Sequence, residues 1–273
     1  EIEAQEARWE EEEAESLEEE TEAQEEERGQ PEETVEQRIT LRIGVFFDGT
    51  GNNTANSGLT EQCRRDDQTL LDPGTLQGTI DYCRRFGFDD PDENGVFRRT
   101  PDNSYGNAHS NVAELFRLYQ DDTHRALSTG ETQACIKAYL EGIGTTSGDS
   151  DSLIIGQGTG GGITGVLARV QSSPNKILEE IHEWQSSNPR SLIEAVELDV
   201  FGFSRGAAAA RHFANEVLKA EKGVLAGLLS PQTAGFAPDF SWNRVRLNFI
   251  GLFDTVAALV APFERDFSPA NDD

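Results

Sequence analysis

Methionine is absent from the 273 residues, cysteine and tryptophan occur three times each, and histidine four times. Cations are also scarce, with 23 Lys and Arg against 50 Asp and Glu, for a formal net charge of −27. Each scarcity excludes something. So acidic a chain offers no cationic surface to a phosphate backbone, which excludes nucleic acid as a ligand. No apolar run reaches membrane-spanning length, and no basic-then-apolar leader opens the sequence. The chain is therefore expected to be soluble and to carry no Sec-type export address, which leaves a bilayer open as a substrate. No Cys/His cluster has zinc spacing and no EF-hand loop occurs, so no metal and no organic cofactor is expected. With Glu1 first and no Met, the chain reads as a trimmed or engineered piece, or as one whose modified methionines are missing.

The negative charge is uneven. Residues 1–40 hold 18 Glu against three Arg. Their few large apolar residues, Ile2, Trp9 and Leu17, are too few for a core. Residues 1–39 are read as an acidic N-terminal extension, either a solvated tail or helix or a hook for a carrier. Residues 40–273 are read as one catalytic domain, expected to be incomplete at its C-terminal end. Cys63 and Cys83 fall in one loop-like region and could bridge in an oxidising compartment, whereas Cys135 reads as a small core residue.

Apolar runs at Arg42–Phe47, Cys135–Leu140, Val196–Phe201 and Val245–Phe253 read as buried strands alternating with helical patterns. That order favours a mostly parallel central sheet covered by helices, the α/β class. Ser110 or Asn111 caps a helix to Tyr119 on the spacing of Val112, Leu115, Phe116 and Tyr119. From Thr54 to about Tyr105 the chain is polar with little periodicity, and its length predicts an ordered insertion or lid. The run Gly156–Gly162 resembles a phosphate cradle, but it lacks a Walker lysine, and a close-packed loop near the site is the better reading.

The chemistry centres on Gly202-Phe203-Ser204-Arg205-Gly206, set between a strand and an alanine-rich helix. Strand, G-x-S-x-G turn and helix in that order form the nucleophile elbow of α/β-hydrolases, with Ser204 as nucleophile. Glycines at −2 and +2 let the flanking backbones approach, and the helix start aims N–H groups at a developing oxyanion. Asp254, at the end of a buried strand, fits the acid that fixes a histidine tautomer. The amide of Arg205, with Gly49 or Thr50 in the turn after the first strand, is the expected oxyanion hole, and Asp48 could brace that turn. Asp199 is expected to bond locally. No histidine follows Asp254. His212 stands two helical turns from Ser204, about 12 Å, and His182 reads as solvated. His109 and His124 lie in or near loops, so the catalytic histidine is expected beyond Asp273 or on a segment not included.

The set FFDGTGNN (46–53), SNVAELF (110–116), EGIGT (141–145), GFSRGAAAAR (202–211) and GLFDTVA (251–257) resembles the type VI secretion phospholipase effectors of the α/β-hydrolase superfamily. The resemblance covers roughly residues 40–260. It implies an antibacterial toxin made in the bacterial cytoplasm, secreted, and acting in the periplasm or on the membranes of a target cell. Its substrate would be the acyl esters of membrane glycerophospholipids, cleaved by phospholipase A-type serine chemistry. Ser204 and Asp254 match the family's nucleophile and acid, and its histidine has no match here. A VgrG-type secretion spike and a cognate immunity protein are the implied partners. A different class of function, a catalytically incomplete fragment or pseudoenzyme that binds a spike or immunity protein, remains open beside it, as does hydrolysis of soluble esters or peptides.

Overall fold

Apolar side chains at every second position, together with a second apolar set near the carboxyl end, make Gln37–Phe47 a strand, β1, buried on both faces. The computed structural model describes residues 36–65, 73–145, 147 and 165–256. The acidic extension to residue 35 and the glycine run 156–162 lie outside the described residues.

After β1 come helices α1 (Thr54–Cys63), α2 (Pro73–Arg84) and α3 (Asn111–Leu118), then β2 (Gln133–Leu140), α4 (Val166–Ser187), β3 (Ser191–Phe203), α5 (Arg205–Leu218) and β4 (Val245–Phe253). The described strands form one sheet in the order β2-β1-β3-β4, every pair parallel. The expected class, a mostly parallel α/β sheet with helices and an insertion, is the one observed. Ile39, Leu41, Ile43, Val45 and Phe47 of β1 and Val196, Leu198 and Val200 of β3 share one face with α4 and α5 in the main core. On the other face Phe46 stacks on Phe201 at 4.7 Å and meets Phe116 and Tyr119 at the α3 end of the layer.

With helices on both faces, the chain leaves β1 toward β2 and returns past it to β3. The direction of winding therefore changes between β1 and β3, and ligand crevices of such sheets open at the carboxyl ends of the strands flanking that point.

Pro174 sits inside α4 and removes the N–H that would bond Val170; Ser173 Oγ donates to the Val170 carbonyl instead, at 2.7 Å. The long polar stretch after β1 contains α1 and α2, which periodicity does not predict. Asn53 caps α1 by accepting from the amides of Ala55 (3.1 Å) and Asn56 (3.2 Å). A disulfide joins Cys63 at the end of α1 to Cys83 in α2, and Phe88, Phe97 and Tyr105 pack round it as a small second core.

Candidate active site

Ser204 occupies the single residue between β3 and α5, at φ 56 and ψ −126. A non-glycine residue is held there at a cost of roughly 1–3 kcal/mol, an arrangement that concentrates at functional sites. Its neighbours explain how it is held. A Cβ on Gly202 would stand 2.5 Å from the Gly206 carbonyl and 2.7 Å from the Ala210 methyl. A Cβ on Gly206 would strike the carbonyls of Phe47 (2.5 Å) and Asp48. The two glycines thus let α5 lie against its own strand and against the end of β1. Ser204 itself is neither buried nor fully exposed, and its hydroxyl has no hydrogen-bond partner among the described residues.

Asp254 lies on the same edge. Phe203 and Phe253 are register partners in the parallel pair β3–β4, so Ser204 and Asp254 each follow directly on paired strand ends. The Ser204 amide donates to the Phe253 carbonyl (2.9 Å) and the Val256 amide to the Ser204 carbonyl (3.2 Å). Asp254 is exposed, also at positive φ (46°), which aspartate tolerates better than most residues.

The turn after β1 closes the third side. Asp48 is buried and accepts from the Gly49 amide (2.7 Å), Ser110 Oγ (2.5 Å) and Tyr139 Oη (2.5 Å). Burial pushes the Asp48 carboxyl above the usual carboxylate range, against the bonds from Ser110, Tyr139 and Gly49. Burial likewise pushes the Tyr139 phenol up, reinforced by the Asp48 charge. The Gly49 N–H, expected to face an oxyanion, is directed to the Asp48 carboxylate in this structure. Thr50 and Arg205 keep their amides without a partner among the described residues, Arg205 because the first N–H groups of a helix have no intrahelical acceptor.

His109 lies against α1, with Nδ1 3.1 Å from Thr54 Oγ1 and Nε2 3.6 Å from Glu61. His212 lies along α5, 3.9 Å from Glu216. His182 is exposed on α4, and His124 is exposed in the segment leading into β2, toward the amino edge of the sheet. None of the four hydrogen-bonds Ser204 or Asp254 among the described contacts.

Asp199 departs from expectation by reaching across the sheet. It accepts from Arg42 Nε of β1 (2.7 Å), Tyr119 Oη (2.8 Å) and Asn248 Nδ2 of β4 (2.7 Å). This ties three strands and the end of α3 together beneath the site. A cavity of about 550 Å³ opens between Phe116, the end of β2 and the Arg169–Glu180 stretch of α4, and neither Ser204 nor Asp254 lines it.

Sequence reasoning missed Ser110 and Tyr139 as supports of Asp48. A tyrosine one residue from the end of β2, beside the strand that ends at Asp48, is the signal that could have found the second.

No family model and no curated protein matches the chain. Solved structures similar to it include the following two. The Tle1 effector bound to the VgrG spike from the Type 6 secretion system is 32% identical with a TM-score of 0.47, over 81% of this chain and 38% of that one. An uncharacterized protein from Pseudomonas aeruginosa is 21% identical with a TM-score of 0.33, over 82% of this chain and 30% of that one. The chain thus spans less than two fifths of either neighbour's length.

Proposed function

We propose that the complete protein is a serine hydrolase acting on acyl esters of membrane glycerophospholipids, delivered as a type VI secretion effector. The observation that carries the hydrolase reading is the backbone of Ser204, a non-glycine residue held at φ 56 between a strand and a helix start, with a carboxylate following the neighbouring strand end. The lipid substrate, a VgrG-type spike and an immunity protein as partners, and action in the periplasm or on the membranes of a rival cell come from the motif resemblance over residues 40–260. Residues up to Glu36 are proposed as an acidic extension of the catalytic domain; Gln37–Ile39, expected to lie in that extension, belong instead to β1, with Ile39 in the main core.

In this reading Ser204 Oγ attacks the acyl carbonyl. The amides of Arg205 and Thr50 hold the resulting oxyanion, and the dipole of α5 adds to them. Asp254 orients a histidine that takes the Ser204 proton, returns it to the leaving alcohol, and then activates water to release the fatty acid. In their described positions none of the four histidines fills that role, which favours a second reading: the chain taken alone is a binding component of a spike or immunity complex.

Incubation of the complete protein with phosphatidylglycerol/phosphatidylethanolamine vesicles separates the two. Fatty-acid release that is lost in Ser204→Ala supports the hydrolase. Equal release by the variant, or none by the wild type, leaves the binding role.

A further inference from the structure

We infer that Arg169 of α4 is a positioning residue for hydrolysis: it clamps the loop after β2, and that loop fixes the turn after β1 against the nucleophile elbow. The inference rests on the hydrolase reading and deepens it at the same site.

Arg169 stands in the first turn of α4, a helix anchored in the main core by Val166, Val170 and Ile177. Its Nη2 donates to the carbonyls of Gly142 (3.2 Å) and Thr145 (2.5 Å). Both belong to the loop that leaves β2. The same loop grips the turn after β1. The Gly142 amide donates to the Asn52 carbonyl (2.8 Å) and the Gly51 amide to the Ile143 carbonyl (3.1 Å). A Cβ on Gly142 would collide with the carbonyls of Gly49 and Asn52, so the two backbones are in contact. The turn in its own right meets the elbow: a Cβ on Gly49 would collide with the Phe203 ring, and one on Gly206 with the Asp48 carbonyl. Two loops therefore lie between Arg169 and the residues that flank Ser204, each packed on the next.

The side chain is poorly provided for where it stands. It is 15% exposed, its ion partner Glu141 is 3.7 Å away, and its buried Nε has no hydrogen-bond partner. Burial pulls the guanidinium below its ordinary pKa, against the Glu141 charge. A role in stability alone would favour an apolar residue here, since a buried charge is costly unless fully paired. What the guanidinium supplies is a rigid planar donor held on two carbonyls, which a lysine ammonium on its flexible stem holds less firmly. Local rules broken in this way concentrate at functional sites.

The experiment uses the complete protein and compares wild type, Arg169→Gln and Arg169→Lys. Lys176→Gln is the control, because Lys176 lines the same cavity as Arg169 but pairs with Glu179 and Glu180 of its own helix. Each protein is given kcat and KM on phospholipid vesicles, a rate of fluorophosphonate labelling and a thermal midpoint. The inference expects kcat and labelling to fall on the order of 10²-fold in Arg169→Gln, as for other small displacements of a catalytic geometry. KM should stay within about threefold of wild type, because the loss falls on the transition state. Arg169→Lys should lie between the two, and Lys176→Gln should match wild type. If Arg169→Gln does not fold, Arg169→Lys decides by the same measures.

A folded Arg169→Gln enzyme with kcat within about twofold of wild type overturns the inference and leaves the hydrolase reading intact. So does a raised KM at unchanged kcat, which would put the guanidinium on the substrate. Loss of the folded state in both Arg169 variants also overturns it, by making the role structural. A wild type that neither releases fatty acid nor reacts with a fluorophosphonate removes the hydrolase reading, and this assignment with it.

Discussion

The backbone of Gly206 lies against the carbonyl of Asp48 so closely that even a methyl side chain has no room. This one approach brings the first turn of α5 to the turn after β1 and so assembles two strand ends into one site. The chain changes its direction of winding between the same two strands.

Gly206→Ala should therefore disturb function more than helix propensity suggests. Alanine favours the helix by about 1 kcal/mol, but the Cβ must push the turn away from the elbow, at a cost of about 1–3 kcal/mol. The expected result is a lower melting temperature and fluorophosphonate labelling of Ser204 slowed by at least an order of magnitude. A variant as stable and reactive as wild type contradicts the packing described.

Asp199→Ala removes the common partner of Arg42, Tyr119 and Asn248. Breaking a buried ion pair costs about 3–5 kcal/mol, and Arg42 keeps part of its side chain in water, so roughly 2–3 kcal/mol is expected. Urea denaturation reads the loss directly. A midpoint unchanged from wild type contradicts the role of this cluster in joining β1, β3 and β4.

The pH dependence of Asp48 has a definite sign. Its carboxyl is raised in the folded state, chiefly by burial. It therefore holds its proton longer than in the unfolded chain, and its stabilising contribution is complete below the ordinary carboxylate range. That contribution is lost as pH climbs through the raised folded value. Asp48→Asn does not titrate, so the stability of wild type relative to the variant should fall as pH rises across this window. Denaturation curves at several pH values check it, and an opposite slope contradicts the assignment.

Reduction of the Cys63–Cys83 disulfide should loosen the insertion more than the sheet. A loop of this size is stabilised by about 3 kcal/mol on closure, while the apolar cluster round it is small. With a reducing agent present, or in Cys63→Ser/Cys83→Ser, limited proteolysis should begin within residues 54–105 before it touches β1 or β3. Simultaneous cleavage throughout contradicts this.

Much of the frame was legible in the residues. β4 runs over Val245–Phe253 as the apolar pattern predicts, but none of its residues is buried, and of the two caps the sequence offers, Ser110 or Asn111, it is Ser110 that caps α3. A strand buried on both faces, such as β1, writes itself as an apolar run, and caps obey local chemistry. The helices α1 and α2 were not legible, because they carry little apolar periodicity and depend on the Asn53 cap and the disulfide. The partners of Asp199 lie far off in sequence, on β1, β4 and the end of α3, so no local pattern announces them. The direction of the Gly49 amide toward Asp48 is likewise a matter of turn geometry that composition does not encode.

The nucleophilicity of Ser204 is tested most directly by reacting the complete protein with a fluorophosphonate and locating the adduct by peptide mass spectrometry. The account predicts a single phosphonylated serine, Ser204, and no adduct in Ser204→Ala. A protein left unmodified under conditions that label a control serine hydrolase, or an adduct on another serine, contradicts it.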